Sequence, residues 1–134
     1  MTHKCPILMS KVFVVDDSKI LVLRRSATDP RWAFVWDLPG GAIEYGEDPV
    51  IAAQRETQEE AGLNLVQLKL LDVSSLSEGD YALTITYTAS YTKEDVVLSY
   101  EHDIFQWVSF DELMKLNIPE KYKIAASKIS FNLL

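Results

Sequence analysis
The segment from Gly41 to Leu63, GAIEYGEDPVIAAQRETQEEAGL, constrains the fold of this chain more than any other. Its centre predicts one helix with both ends marked. Asp48 is a good N-cap, Pro49 suits the first helical position, and Gly62 suits the residue just past the end. Between these stops Val50, Ala53, Thr57 and Ala61 recur at helical spacing and form a core-facing side. Glu56, Glu59 and Glu60 stand at i, i+3 and i+4, so their carboxylates project from one adjoining face. Like charges so placed repel by roughly 0.2–0.5 kcal/mol per pair. A divalent cation reverses that sign, because Mg²⁺ takes oxygen ligands and is commonly held by carboxylates, waters and substrate phosphates. A solvated acidic face is the ordinary alternative for such a cluster. The flanking glycines and Arg55 favour the site.

Strand signals surround this helix. Residues 7–15 (ILMSKVFVV) and 20–24 (ILVLR) are β-rich, and Asp16-Asp17-Ser18-Lys19 between them predicts the turn of a hairpin. Their continuous apolar runs point to a sheet covered on both faces. Arg24 and Arg25 face opposite ways by strand alternation, which leaves one to reach a phosphate and the other in solvent. Residues 26–35 read as a loop. Trp32, Phe34, Trp36 and Tyr45 are expected to cluster around it; Trp36 reads as core, while Trp32 suits core packing and stacking on a nucleobase equally.

Beyond the helix, Val66, Leu68 and Leu70 alternate with polar residues as a strand, and Glu78-Gly79-Asp80 predicts a turn. Residues 81–91 alternate over a longer strand, with an apolar odd-numbered face and a hydroxyl-rich even-numbered one. Residues 92–103 read as a polar, mobile stretch, with His102 either a helper beside Glu101 or, as the favoured reading, a plain loop residue, and 104–108 a short strand. Ser109 and Glu112 form a capping box for a short helix through Leu116. Asn117 is the expected cap of a C-terminal helix whose apolar face comprises Ile118, Tyr122, Ala125, Ile129 and Leu133. The whole chain, 1–134, reads as a single α/β domain.

Composition narrows the function. A formal charge of −7 argues against a general nucleic-acid-binding surface, though not against a small phosphorylated substrate. No apolar run reaches the ~18–20 residues needed to span a bilayer, so no membrane partner is expected. No secretory signal is read at the N-terminus, and the expected location is cytoplasmic. Cys5 is the single cysteine, which rules out an internal disulfide; it reads as a reduced small residue, as His3 reads as a terminal residue without a role.

The 41–63 segment resembles the Nudix box: Gly, five residues, Glu, seven residues, Arg-Glu, an aliphatic, any residue, Glu-Glu, any residue, Gly, an aliphatic. Gly41, Glu47, Arg55, Glu56, Glu59, Glu60, Gly62 and Leu63 occupy the fixed positions. Thr57 stands where an aliphatic is usual; on the core side it is expected to bond back to the carbonyl four residues earlier and weaken packing slightly. The preceding Trp36-Asp37-Leu38-Pro39-Gly40-Gly41 and the downstream run from Glu101 to Leu113 resemble stretches seen in the same family.

The resemblance implies a small, MutT-like Nudix hydrolase with an α/β/α sandwich around a central mixed sheet. It implies Mg²⁺, or Mn²⁺, held by the Gly40 carbonyl with Glu56, Glu59 and Glu60. Glu56 or Glu101 would accept the proton of the attacking water, and Arg55 would orient Glu59. Glu47 would support the loop or a further metal, and Glu44 would lie near the metal or simply in a surface loop. Arg24, Arg25, Trp32 and Tyr45 are the expected substrate contacts. The implied reaction is hydrolysis of a nucleoside diphosphate linked to a group X, with a nucleoside triphosphate giving monophosphate and pyrophosphate as the leading case. Dinucleoside polyphosphates, ADP-ribose, nucleotide sugars and capped RNA ends are the alternatives. A catalytically silent nucleotide-binding module is the non-enzymatic rival, against which the intact carboxylates count. Monomer and homodimer stand equally.

Overall fold
The computed structural model describes residues 5–76 and 81–129. The expected turn at Glu78-Gly79-Asp80, and His3 and Leu133, lie outside them. The order is β1 (Ile7–Asp16), β2 (Lys19–Arg25), β3 (Trp36–Asp37), β4 (Gly40–Ala42), α1 (Pro49–Ala61), β5 (Leu65–Leu76), β6 (Ala82–Tyr91), β7 (His102–Val108), α2 (Phe110–Met114) and α3 (Glu120–Ala126).

The strands form one mixed seven-stranded sheet in the order β3-β2-β1-β6-β5, with β4 also paired to β1 and β7 to β2. The β1–β6 pairing is parallel and runs from Ile7↔Ala82 to Val14↔Ala89. The β1–β2 turn places Asp17 and Ser18 at φ 49° and 63°, the backbone of a tight two-residue hairpin loop. Side chains of β1 and β2 are buried on both faces, as their apolar runs require. Phe13, Ile20 and Val22 join Leu113, Ile118, Tyr122 and Ala125 in one core under α2 and α3. Val12, Val14, Leu21 and Leu23 join Ala53, Ala61 and Leu63 in the other, under α1. Each such fully buried aliphatic contributes about 1.5–3 kcal/mol. The architecture is the expected α/β/α sandwich. No helix among the described residues is long and apolar enough to cross a membrane.

The ends of α1 form as read. The Asp48 side chain accepts from the Val50 N–H, Pro49 opens the helix, and Gly62 at φ 72° closes it with its N–H donating to the Gln58 carbonyl. Residues 92–101 depart from expectation. They carry no regular structure, yet the Val97 and Ser99 N–H groups donate to the Ala61 and Glu60 carbonyls, both at 3.0 Å. These are carbonyls that a helix end leaves without partners, so the stretch is pinned rather than free. His102 is not a loop residue but the buried first residue of β7.

Two smaller expectations also change. Thr57 is fully buried and its Oγ1 has no hydrogen-bond partner among the described residues, so the bond back to the helix carbonyl is not made. Asn117 does not cap α3: Pro119 occupies the N-cap position without a side-chain bond, while the Asn117 carbonyl accepts from the Trp36 N–H. The hydroxyl face of β6 is covered, with Thr84, Thr86 and Thr88 all buried.

Candidate active site
β4 lies antiparallel against β1, pairing Gly41 with Ser10 and Gly40 with Lys11. The approach is so close that a Cβ on Gly40, at φ +130°, would stand 2.1 Å from the Ser10 carbonyl oxygen. A Cβ on Gly41 would stand 2.6 Å from Cδ of Glu56. The second glycine therefore makes the space that the Glu56 carboxyl occupies.

Arg55 ties the acidic residues together. Its Nε and Nη2 donate to the two Glu47 carboxylate oxygens at 2.8 and 3.0 Å, and its Nη1 donates to Glu56 at 2.9 Å. Nη2 also donates to the Ala42 carbonyl at 3.1 Å. The contact to Glu59, expected from the i, i+4 spacing, is the longest of its hydrogen bonds at 3.4 Å. Glu47 is thus the chief partner of Arg55, and that hydrogen bond, helped by the Glu44 N–H, depresses the Glu47 pKa to about 2. Glu44 itself is exposed, 3.7 Å from Arg55.

The three carboxylates of α1 differ sharply in exposure. The Glu59 side chain is 59% exposed, Glu56 is 19% and Glu60 only 7%. Glu60 turns inward toward the sheet. Burial raises its pKa well above the carboxylate range; Lys11 acts against this, while Asp37 and a hydrogen bond with Glu56 add to it. Behind it lies a buried ionic group that the sequence reading missed. Lys11 Nζ donates to Asp37 Oδ2 at 3.1 Å and to the Leu38 and Gly40 carbonyls at 3.2 Å. Burial alone would lower the Lys11 pKa, but Asp37, Tyr122 and Glu60 outweigh it and raise it. Burial likewise works to raise Asp37, and is overcome by Lys11 and Arg25. The available signal was a lysine at a core-facing position inside a mostly apolar strand.

The remaining expected contacts divide. Arg25 donates to Asp37 at 2.7 Å and Asp29 at 3.1 Å. It also lines a cavity of about 440 Å³ with Trp32, Trp36, Lys121 and Tyr122. Arg24 faces away, held in a two-point pair by Asp103 at 3.0 and 2.8 Å, over the ring of Phe34. Neither arginine stands free in solvent. Tyr45 does not join an aromatic cluster: it is fully exposed and borders a separate depression beside Pro6, Leu8 and Glu47. Glu101 precedes β7 with an exposed side chain, and its backbone carbonyl accepts from the Ser26 N–H.

His102, favoured as a plain loop residue over a helper, is placed otherwise. Its side chain is 3% exposed, with Nδ1 3.9 Å from Glu60 Oε2. Burial, the largest influence, pushes its pKa down to about 4 and keeps the ring neutral at pH 7.

Among the described residues no three acidic, imidazole or thiol groups converge as a finished metal centre. The donor chemistry nevertheless fits a hard cation. Glu56 fills the space left by Gly41, Glu60 is hydrogen-bonded to it, and Glu60 Oε2 is buried without a hydrogen-bond partner. A buried acceptor of this kind costs free energy until a proton or a cation engages it.

Known proteins resemble this arrangement over most of the chain. The NUDIX domain family model matches residues 10–128. A bis(5′-nucleosyl)-tetraphosphatase (asymmetrical) from Sus scrofa is 35% identical over 60% of this chain, and the match spans 60% of that enzyme's length. An RNA pyrophosphohydrolase from Rickettsia bellii is 32% identical, over 81% of this chain and 77% of the relative. The crystal structure of a MutT protein from Methanosarcina mazei Go1 superposes with a TM-score of 0.84 at 27% identity, covering 94% of each chain. With a family match that takes in both glycines of β4, the whole acidic helix and β7, the chain belongs to the NUDIX family.

Proposed function
We propose that this protein is a divalent-cation-dependent hydrolase of a nucleoside diphosphate linked to a further group, with a nucleoside triphosphate as substrate and a nucleoside monophosphate and pyrophosphate as products. The observation that carries this is the packing of Glu56 and the buried, unpartnered Glu60 oxygen beside the Gly40–Gly41 strand. The Gly40 carbonyl, Glu56, Glu59 and Glu60 would hold Mg²⁺ or Mn²⁺. When bound, such an ion offsets phosphate charge and lowers the pKa of a coordinated water.

The chain's own residues supply the positioning that this chemistry mostly needs. Arg55 fixes the Glu56 rotamer through its 2.9 Å bond, and is itself held by Glu47. Glu56 or Glu101 takes the proton as water attacks phosphorus, and the bridging oxygen leaves with the bond pair. Lys11, donating to the Gly40 carbonyl, holds that strand against β1. The cavity of about 440 Å³ is sized for one nucleoside. Trp32 at its rim offers a stacking face, and Arg25 offers positive charge to a phosphate.

A second reading, hydrolysis of dinucleoside polyphosphates, is favoured by the similarity to the Sus scrofa enzyme. A substrate panel with Mg²⁺ or Mn²⁺ separates the two. It would contain ordinary and oxidised nucleoside triphosphates, a dinucleoside tetraphosphate, ADP-ribose, nucleotide sugars and 5′-triphosphorylated RNA, read by product chromatography. Pyrophosphate release from a triphosphate is the expected result. Turnover of the dinucleoside tetraphosphate alone would establish the second reading, and no metal-dependent turnover of any member would reject both.

A further inference from the structure
β7 enters the sheet through an irregularity. Arg24 pairs with Ile104 and Arg25 with His102, so Asp103 is an extra residue between two registered pairs. Such bulges re-aim side chains, often beside functional sites. Here the two neighbours part: Asp103 goes outward to the two-point pair with Arg24, and His102 goes inward. The approach is fixed on both sides. The His102 N–H donates to the Ser99 carbonyl at 3.3 Å, and the Ser99 N–H donates to the Glu60 carbonyl at 3.0 Å. The strand that carries the imidazole is thereby indexed to the residue the imidazole faces.

Both partners of that meeting are incomplete. His102 Nδ1 and Nε2 have no hydrogen-bond partner among the described residues, and neither has Glu60 Oε2. Buried polar atoms in folded proteins are nearly always satisfied, so a facing donor and acceptor 3.9 Å apart mark a bond that forms in another state of the site. A ring N–H donated to a carboxylate that also holds a cation would be a charge-assisted bond, the stronger kind.

We infer that His102 is a positioning residue whose ring N–H holds the Glu60 carboxylate in its cation-binding orientation. This rests on the proposed cation site and adds to it a residue on a different strand. The imidazole neither contacts the cation nor moves a proton in the reaction; it restricts Glu60 to one rotamer.

The test uses the full chain and reads binding rather than turnover. The chain has two histidines, so ¹⁵N-histidine labelling gives two ring systems, assigned with His3→Gln. Titration with diamagnetic Mg²⁺ should move the His102 ring nitrogens. Mn²⁺ affinity, read by electron paramagnetic resonance, should fall about 10–100-fold in His102→Leu. It should recover most of that loss in His102→Asn, whose amide nitrogen sits near the Nδ1 position. Wild-type protein that binds Mg²⁺ with a silent His102 overturns this inference alone. So does a His102→Leu affinity equal to wild type, or a His102→Asn affinity as weak as that of His102→Leu. Wild-type protein that binds neither ion overturns this inference together with the reading beneath it. The wild-type titration decides the matter even where the leucine variant fails to fold.

Discussion

Asp37→Asn tests the buried ionic group most directly. Asp37 Oδ2 accepts from Lys11 at 3.1 Å and Arg25 at 2.7 Å, while Oδ1 accepts from the Leu38 N–H at 2.8 Å. The Lys11 and Asp37 side chains are 2% and 7% exposed. At an effective dielectric constant near 20, one such contact is worth about 5 kcal/mol of gross attraction, most of it offset by desolvation. Asparagine keeps the shape and one acceptor but leaves the Lys11 ammonium facing only the Leu38 and Gly40 carbonyls. Breaking a buried pair in this way costs about 3–5 kcal/mol, because an uncompensated charge stays inside. Lys11→Met removes the cation at similar volume and leaves Asp37 with Arg25; its cost, about 1–3 kcal/mol, comes from carbonyls that lose their donor. The double variant should therefore be less destabilised than the two singles summed, by about 2 kcal/mol or more. Equilibrium urea unfolding in EDTA measures all four proteins, with equal m-values as the check on two-state behaviour. An Asp37→Asn variant within about 1 kcal/mol of wild type, or strict additivity in the cycle, would refute the assignment of this group as a coupled buried network.

Glu60→Gln should leave cation-free stability equal or higher at pH 7, because burial already favours the uncharged form. A carboxyl whose folded pKa is raised loses stability as pH climbs above its unfolded value, so the glutamine variant should lack that decline in urea unfolding between pH 4.5 and 7. Gly41→Ala should push the Glu56 carboxyl aside, since the new Cβ would stand 2.6 Å from its Cδ. Turnover should fall about 100-fold or more, the scale of a misplacement near 1 Å, with far-ultraviolet circular dichroism unchanged. Glu47 is depressed to about 2 chiefly by Arg55, so its stabilisation is present above pH 4.5 and disappears as pH falls toward 2. Thermal melts of Glu47→Gln should lose that acid-side slope; an unchanged slope would contradict the pairing.

Legibility in the sequence followed the range of the interactions involved. α1 could be bounded to the residue because its stops, Asp48, Pro49 and Gly62, act within one turn. The capping box of Ser109 and Glu112 and the hairpin at Asp17-Ser18 are local in the same sense. The fates of the three glutamates were not legible. Helical spacing places Glu56, Glu59 and Glu60 near one another, but how the helix rolls over β4 decides that Glu59 is wet and Glu60 dry. Lys11 needed the register with Gly40, and residues 92–101 needed carbonyls of α1 more than thirty residues earlier. At Asn117 a local cap signal lost to a main-chain bond with Trp36. Nothing near Tyr45 in the sequence foretold that its ring would face solvent.

The parallel pairing of β1 with β6 has a consequence for how the molecule acquires its shape. The neighbouring hairpin gives β1 only two registered partners, Val15↔Ile20 and Asp16↔Lys19, whereas β6 supplies eight, from Ile7↔Ala82 to Val14↔Ala89. During synthesis the first strand therefore waits until the chain has been made past Ala89 before its edge is closed. Loop closure over such a distance slows folding, so this domain should fold more slowly than a helical bundle of its size. Until then the apolar run of β1 keeps an unpaired edge, the kind of surface that aggregates when exposed.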